Sequence, residues 1–409
     1  MPPGRWFRDY ARVPAPAGYL STRSGFNNFG GMENLDVIDT CVNGIHEKRR
    51  SKREAGIAGL VGALEEFVPM DRIDYRCLTA LEGCKASLLG RQESALLAYR
   101  AIGLLALTVG ANRDCSEEIL ANVLALPVFS KPRSMSGGTA RAALDCLAAV
   151  TFAAARCPED AEPSIKIIWA VIKHNLAGTN ASNTDIVLNA ALSAWALLLT
   201  TLGGNLRTQP HAWKEAMFPY GDLVKLLDTD DSAVLTAAGE ALAVCAELNL
   251  TRHATPKDMQ ALESKVADLA SGSRGVEEDY DLTGEQCVMF RQISTMVKAK
   301  QEQGDGWEEE DLMMRRSAPS SQRCVLKVSK WARLVQLNFL KRFLGKGFVK
   351  HARDNPLLQE NSSDAAAVDE VPSGKSKQCR FGREKQWSVA LRRDRMIGWE
   401  NKNAFSQLL

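Results

Sequence analysis

The stretch Ser94-Ala-Leu-Leu-Ala-Tyr-Arg-Ala-Ile-Gly-Leu-Leu-Ala-Leu-Thr-Val-Gly-Ala111 decides the fold of this 409-residue chain. Ala95, Ala98, Ile102, Leu105 and Val109 recur at the three- and four-residue spacing of a single helical face. Four more segments read the same way: residues 53–69, 139–155, 184–203 and 231–249. The five starts are separated by 41, 45, 45 and 47 residues. Between them lie second helical patterns near residues 71–89, 115–126, 164–176 and 211–227.

Two or three helices in every ~40–47 residues is the period of armadillo and HEAT arrays. One such pair cannot bury its apolar face alone, so stacked pairs share a continuous core. Small side chains let neighbouring helices approach, and Leu, Ile and Val fill the seams. The breakers agree: Pro69, Gly90, Gly110, Pro127, Pro158, Gly178, Gly203 and Pro219 fall between segments or at their ends. At the corner 226–234, Asp or Ser is placed to cap the next helix. Long period-two runs of Val, Ile and Thr do not occur. The fold class is therefore all-α: an armadillo/HEAT-like helical solenoid, a short helical C-terminal domain and flexible ends. The array from 45 to 270 reads as a self-sufficient helical unit.

The domain reading follows from composition. Residues 1–31, rich in Gly, Pro and Arg, read as disordered; 32–272 form the repeat domain; 273–320 hold one more helix (283–300) and an acidic linker. Residues 321–360 form a basic C-terminal element and 361–409 a flexible basic tail. The formal charge of +2 hides an uneven distribution. From 54 to 270 there are 25 acidic and 18 basic residues, and from 277 to 311 the balance is 11 to 3. From 320 to 353 there are nine Lys or Arg and no acid. Such asymmetry points the basic segment at a polyanion or an acidic partner.

Ten cysteines stand without any CxxC pair, and Cys84, Cys115, Cys146 and Cys245 lie in helical or apolar runs, as reduced core thiols do. The five histidines are isolated, so no zinc spacing exists and no metal or cofactor is expected. The N-terminus lacks an apolar signal core. Residues 186–202 are uncharged but carry Asn189, Ser193, Thr200 and Thr201, and read as a buried helix rather than a membrane span. The expected location is nucleus and cytoplasm, with no membrane partner.

Several blocks carry a family resemblance: Glu47-Lys-Arg-Arg-Ser-Lys-Arg-Glu-Ala, Ala101-Ile-Gly-Leu-Leu-Ala-Leu-Thr-Val-Gly, Cys146-Leu-Ala-Ala-Val-Thr-Phe, Ser193-Ala-Trp-Ala-Leu-Leu-Leu-Thr-Thr and Ala237-Ala-Gly-Glu-Ala-Leu-Ala. The most specific is Trp331-Ala-Arg-Leu-Val-Gln-Leu-Asn-Phe-Leu-Lys-Arg-Phe-Leu-Gly-Lys-Gly-Phe-Val-Lys-His. With these blocks in this order, the chain resembles the interferon-related developmental regulator family over most of residues 45–360. The resemblance implies an armadillo-like domain without enzymatic activity. It also implies two kinds of role: transcriptional co-regulation with protein partners such as corepressor complexes, and ribosome association with translational repression. The chain departs from the family pattern in its N-terminal segment, in the acidic stretch 304–311 and after Leu358.

The candidate binding element is residues 322–345, read as one helix. Val325, Val328, Val335, Phe339, Leu340 and Phe343 gather on one side, facing the end of the array, and Arg323, Lys327, Lys330, Arg333 and Lys341 on the other. Arg342, Lys346 and Lys350 extend the basic set. Ribosomal or other RNA, an acidic protein partner and plain solvation are all compatible with such a face. Gly345-Lys-Gly347 lacks the spacing of a phosphate loop and reads as a helix end, with Gly345 in a left-handed turn. His351 and Asp354 read as a loop pair. In the tail, Trp387 and Trp399 among arginines suit base stacking or a nuclear-localisation role equally.

Overall fold

The structure is a computed structural model, and it describes residues 37–131, 137–177, 184–202, 220–248, 250, 256–271, 284–303, 316–318, 326–328 and 330–360. The expected disordered N-terminal segment, the acidic stretch 304–311 and the tail with Trp387 and Trp399 lie outside these residues.

Helices follow one another in pairs. In chain order they are α1 (Val37–Ile45), α2 (Arg50–Glu65), α3 (Met70–Ile73), α4 (Cys77–Leu88), α5 (Gln92–Val109), α6 (Arg113–Leu124), α7 (Pro127–Ser130), α8 (Gly137–Ala154), α9 (Pro158–Ala177) and α10 (Thr184–Leu199). They continue with α11 (Tyr220–Leu226), α12 (Ser232–Glu247), α13 (Pro256–Ser271), α14 (Gly284–Gln303), α15 (Trp331–Leu344), α16 (Phe348–Asp354) and α17 (Pro356–Glu360). Between α14 and α15 a short antiparallel ribbon pairs β1 (Arg316–Ala318) with β2 (Leu326–Val328).

Each of the five small-residue segments is one helix: α2, α5, α8, α10 and α12. With α14 they form a row in which each helix packs on the next. In α5, residues from Ala98 to Val109 are buried without a break except at Arg100, so this helix is enclosed nearly all round rather than on one stripe. The others, α4, α6, α9, α11 and α13, each pack against helices of the row. The tilted ring pair of Trp169 on α9 and Trp195 on α10, with centroids 5.0 Å apart, marks one such seam.

Close approach is built on glycine where a methyl group has no room. A Cβ at Gly56 would come within 2.7 Å of Gly44 and Ile45 backbone on α1, and one at Gly239 within 2.6 Å of Met289 on α14. The expected corner cap is present: Asp231 Oδ1 accepts the Val234 amide at 2.7 Å, satisfying a free donor at the start of α12. Asn112 caps α6 in the same way through Cys115. One boundary differs from the sequence reading. Pro158 opens α9, which runs through Pro163, where the sequence pattern places the helix only from 164. Pro158 sits at the first position, where the N–H has no internal partner, whereas Pro163 is the sixth residue and removes one internal hydrogen bond, to the Glu159 carbonyl.

The eight cysteines among the described residues are free thiols, five of them buried. Burial pushes the Cys84 thiol up to about 12 and raises those of Cys146 and Cys245 as well. No helix among the described residues is long and apolar enough to cross a membrane. The 184–199 region is instead α10, the fourth small-residue helix of the row.

Ala241 lies fully buried on α12 beside Ala237 and Val244. Ala241→Leu forces extra methylenes into this seam and is expected to cost about 1–3 kcal/mol, read as a lower urea midpoint at unchanged slope.

Candidate functional site

The candidate element is built differently from its sequence reading. The helix begins at Trp331, not at 322, because Leu326–Val328 pair as a strand with Arg316–Ala318. Valines three apart serve either conformation, and the partner strand selects the extended one. Nor does the helix sit on the end of the array. Residues 331–358 form a strap that crosses the row of helices in reverse order, from α12 back to α2.

The strap is anchored at its start by a carboxylate. Glu247, the last residue of α12, accepts the Trp331 amide at 3.0 Å and the Ala332 amide at 2.7 Å. Lys330, the residue before the helix, gives no side-chain cap. Glu247 thus supplies the missing acceptor, and its charge is favoured at the positive end of the helix dipole. Gln336 then donates to Thr200 Oγ1 at the end of α10 (2.9 Å), and Asn338 to Glu240 on α12 (3.0 Å). One turn on, Arg342 grips Asp145 of α8 with both terminal nitrogens at 2.8 Å. Two-pronged, charge-assisted bonds of this kind contribute about 1.5–3 kcal/mol each when partly shielded from water.

Apolar contacts run alongside. Trp331, Val335, Phe339, Leu340, Phe343 and Leu344 are buried. Phe343 presses into α5 at Gly103, where a Cβ would come within 2.5 Å of its ring. Arg100, forked onto Glu65, lies over the same ring at 5.6 Å. The helix stops at Gly345, whose φ of +56° favours glycine, but its ψ of −124° differs from the left-handed helical turn expected there. Gly347 then passes so close to α2 that a Cβ would overlap the Glu65 carbonyl oxygen.

Beyond this turn the strap caps the row. His351 is buried inside α16, not paired with Asp354 in a loop; Asp354 binds Arg353 instead. Its Nε2 lies 2.7 Å from the Leu64 carbonyl near the end of α2, and its Nδ1 lies 3.3 Å from Asn355 Nδ2. Asn355 donates to the Leu107 carbonyl of α5 at 2.8 Å and accepts from the Leu357 amide at 3.0 Å. Leu357 packs where Gly110 leaves space, and Leu358 is buried beside it.

The eight basic candidates fall into three groups. Arg342 is spent on Asp145, Lys350 pairs with Glu66, Arg333 donates to Gln336 at 3.1 Å, and half-buried Lys341 lies over the Phe348 ring at 5.6 Å. Burial lowers the Lys341 pKa, and the Lys350 hydrogen bond holds Glu66 below the usual carboxylate range. Lys330 and Lys346 are exposed. Lys327 belongs to β2 and so is off the helix, and Arg323 lies outside the described residues. The cations therefore do not form one helical face; at least half of them bind this chain itself. Sequence reading missed the acceptors Glu247, Glu240, Asp145, Glu65 and Glu66, and the buried pair His351–Asn355. Their signal was faint: Gly103 interrupts an Ala/Leu helix that has no local need of glycine. Among the described residues, no cluster of three or more His, Cys, Asp or Glu side chains is placed to hold a metal.

Comparison with known proteins gives a consistent picture. The model of the interferon-related developmental regulator (IFRD) family matches residues 28–302. Interferon-related developmental regulator 2 of Mus musculus is 28% identical over 345 residues, covering 80% of this chain and 73% of that protein. Among solved structures, an engineered protein is similar over 65% of this chain and 98% of its own, at 16% identity and a TM-score of 0.43. A designed armadillo repeat protein in complex with the peptide (KR)4 is similar over 63% of this chain and 99% of its own, at 14% identity and a TM-score of 0.42.

Gly347→Ala tests the strap. The added methyl meets backbone rather than a movable side chain, so a destabilisation of at least about 1–3 kcal/mol is expected, with faster proteolysis after 344. Gly62→Ala in α2 is the control, since nothing lies within 4 Å of its Cβ position. It should leave stability unchanged or raise it by up to about 1 kcal/mol. Equal proteolysis of both variants and the parent would show that the strap does not depend on this contact.

Proposed function

The chain belongs to the interferon-related developmental regulator family, and from that premise we propose that it works without catalysis, as a scaffold that regulates gene expression by binding macromolecules. Its main role in this reading is transcriptional co-regulation in the nucleus, with protein partners such as corepressor complexes, and it passes between nucleus and cytoplasm.

One observation carries the reading. Helices outside the row carry exposed acids, Asp71 on α3, Glu82 on α4, Asp114, Glu117 and Glu118 on α6, Glu159 on α9 and Asp258 and Asp268 on α13, with Glu82 paired to Lys85 and Glu117 to Arg113. The strap covers the Phe343 and His351 seats on the row, and these outer acids remain in solvent. A repeated acidic surface on a rigid support suits basic segments of protein partners, with charge guiding the encounter and the register.

A second reading, ribosome or RNA binding with translational repression, draws on the exposed cations Lys330 and Lys346 and on Lys48 and Arg49 just before α2. It no longer rests on Arg342 or Lys350, whose charges meet carboxylates of this chain.

Charge reversal separates the two. The triple variant Asp114→Lys, Glu117→Lys, Glu118→Lys alters exposed positions of α6 and should fold as the parent does. Its capture of a purified corepressor complex should fall by about tenfold or more, while co-sedimentation with ribosomes stays as it was. In contrast, Lys330→Gln with Lys346→Gln should reduce ribosome co-sedimentation only if RNA is the partner. The dependence of log affinity on log salt would then become shallower by up to about two phosphates' worth. Unchanged corepressor capture by the triple variant would remove the first reading.

A further inference from the structure

The hydrogen bonds around His351 fix the polarity of every group in the chain. The Leu64 carbonyl can only accept, so Nε2 carries a proton toward it. At the other end, the Asn355 amide nitrogen donates to the Leu107 carbonyl, and its oxygen accepts from the Leu357 amide. The side-chain amide is therefore locked, with its second N–H turned to His351 Nδ1. That nitrogen must be the acceptor. His351 and Asn355 are both buried, so no water is at hand to relieve a mismatch.

We infer that residues 348–358 form a latch that closes on the ends of α2 and α5 and opens on mild acidification, because this hydrogen-bond chain accommodates only one imidazole proton. A second proton on Nδ1 would face the Asn355 NH2 group, donor against donor. Turning the amide over would place its oxygen against the Leu107 carbonyl and its NH2 against the Leu357 amide. Both alternatives leave buried polar groups unpaired. Opening returns the imidazolium to water and Asn355 to solvent. It uncovers the Leu64 and Leu107 carbonyls and the space at Gly110 where Leu357 sat.

The charged surroundings do not cancel this. From α2, Glu65 favours the imidazolium, but it is already forked onto Arg100 of α5, and burial is the larger influence and pushes the His351 pKa down. Glu66 is paired with Lys350, which keeps it ionised when His351 titrates. On the latch itself Arg353 and Asp354 bind each other. Phe67 offers only a ring, edge-on with centroids 5.2 Å apart. The sign follows: the closed form holds the neutral imidazole and the open form binds the proton more readily. Closure is complete above the free histidine value of about 6.5 and weakens as the pH falls below it. The hinge is in place at Gly345 and Gly347, whereas α15 on the far side is held by Glu247 and Asp145.

Hydrogen–deuterium exchange of the full chain, corrected for the intrinsic pH dependence of amide exchange, tests the latch between about pH 7.5 and 5.5. Amides of 348–358 and 64–67 should lose protection by up to about tenfold per pH unit below about 6.5, while 331–344 keeps its protection. The midpoint should coincide with the His351 titration followed by NMR of histidine-labelled protein, assigned by the signal missing in His351→Gln. That variant can donate to Leu64 but gains no proton, so its protection should not change with pH. Retained protection of 348–358 while His351 titrates would overturn the latch, and so would the same loss in the Gln variant. If the Gln variant is open at both pH values, the two parent midpoints decide: coincidence supports the latch and separation overturns it.

Discussion

Glu247 closes a helix that begins 84 residues further along the chain, and the strap returns the favour at the other end of the row. Every helix leaves its first amides and last carbonyls without partners, and in a buried setting each orphan costs free energy comparable to a lost hydrogen bond. Here row and strap exchange them. The carboxylate at the end of α12 takes the free amides of α15, and His351 and Asn355 reach carbonyls near the ends of α2 and α5. Neither surface is complete alone. The glycines at 103, 110 and 347 follow from this constraint, since each removes the methyl group that would hold strap and row apart.

The same exchange settles what the basic segment does with its charge. Nine cations without an acid look, in one dimension, like a surface waiting for a polyanion. In three dimensions the counter-charges arrive from helices far back in the chain: Asp145 for Arg342 and Glu66 for Lys350. A strap of one sign lying over a row that offers the other is attracted along much of its length. Wrong registers bring Arg342 opposite alanine or leucine, where its desolvated guanidinium finds no acceptor. Charge here specifies the register, while Phe343, Phe339 and the leucines supply most of the stabilisation.

Legibility in the sequence tracked the distance over which each interaction acts. The row helices, the Asp231 cap and the helix stop at Gly345 depend on neighbours within a few residues, and periodicity and residue type exposed them. The start of α15 was misplaced because Val325 and Val328 fit a helix or a strand, and the pairing of Leu326–Val328 with Arg316–Ala318 decides between them. The seat of the strap was invisible for the same reason on a larger scale: His351 and Leu64 lie 287 residues apart. Isolated acids such as Asp145 carry no local mark of the guanidinium they will meet. Only Gly103 inside α5 hinted that something must come close.

This architecture also changes what counts as a folding unit. The spacing of the five small-residue segments makes residues 45–270 look self-sufficient, and the buried seams within them are real. Yet cutting there removes α14, against which Gly239 is fitted through Met289 and Phe290, and it removes the strap. The Leu107 carbonyl would lose the Asn355 donor, the Leu64 carbonyl would keep only the Phe67 amide, and the seat of Phe343 would be left as an apolar notch. A row in which each helix touches mainly its neighbours unfolds in steps from its ends. A strap bound to α12, α10, α8, α5 and α2 couples those steps, because opening any one repeat strains contacts made by the same continuous segment. The repeats are thereby tied to one another through the strap as well as through their neighbours.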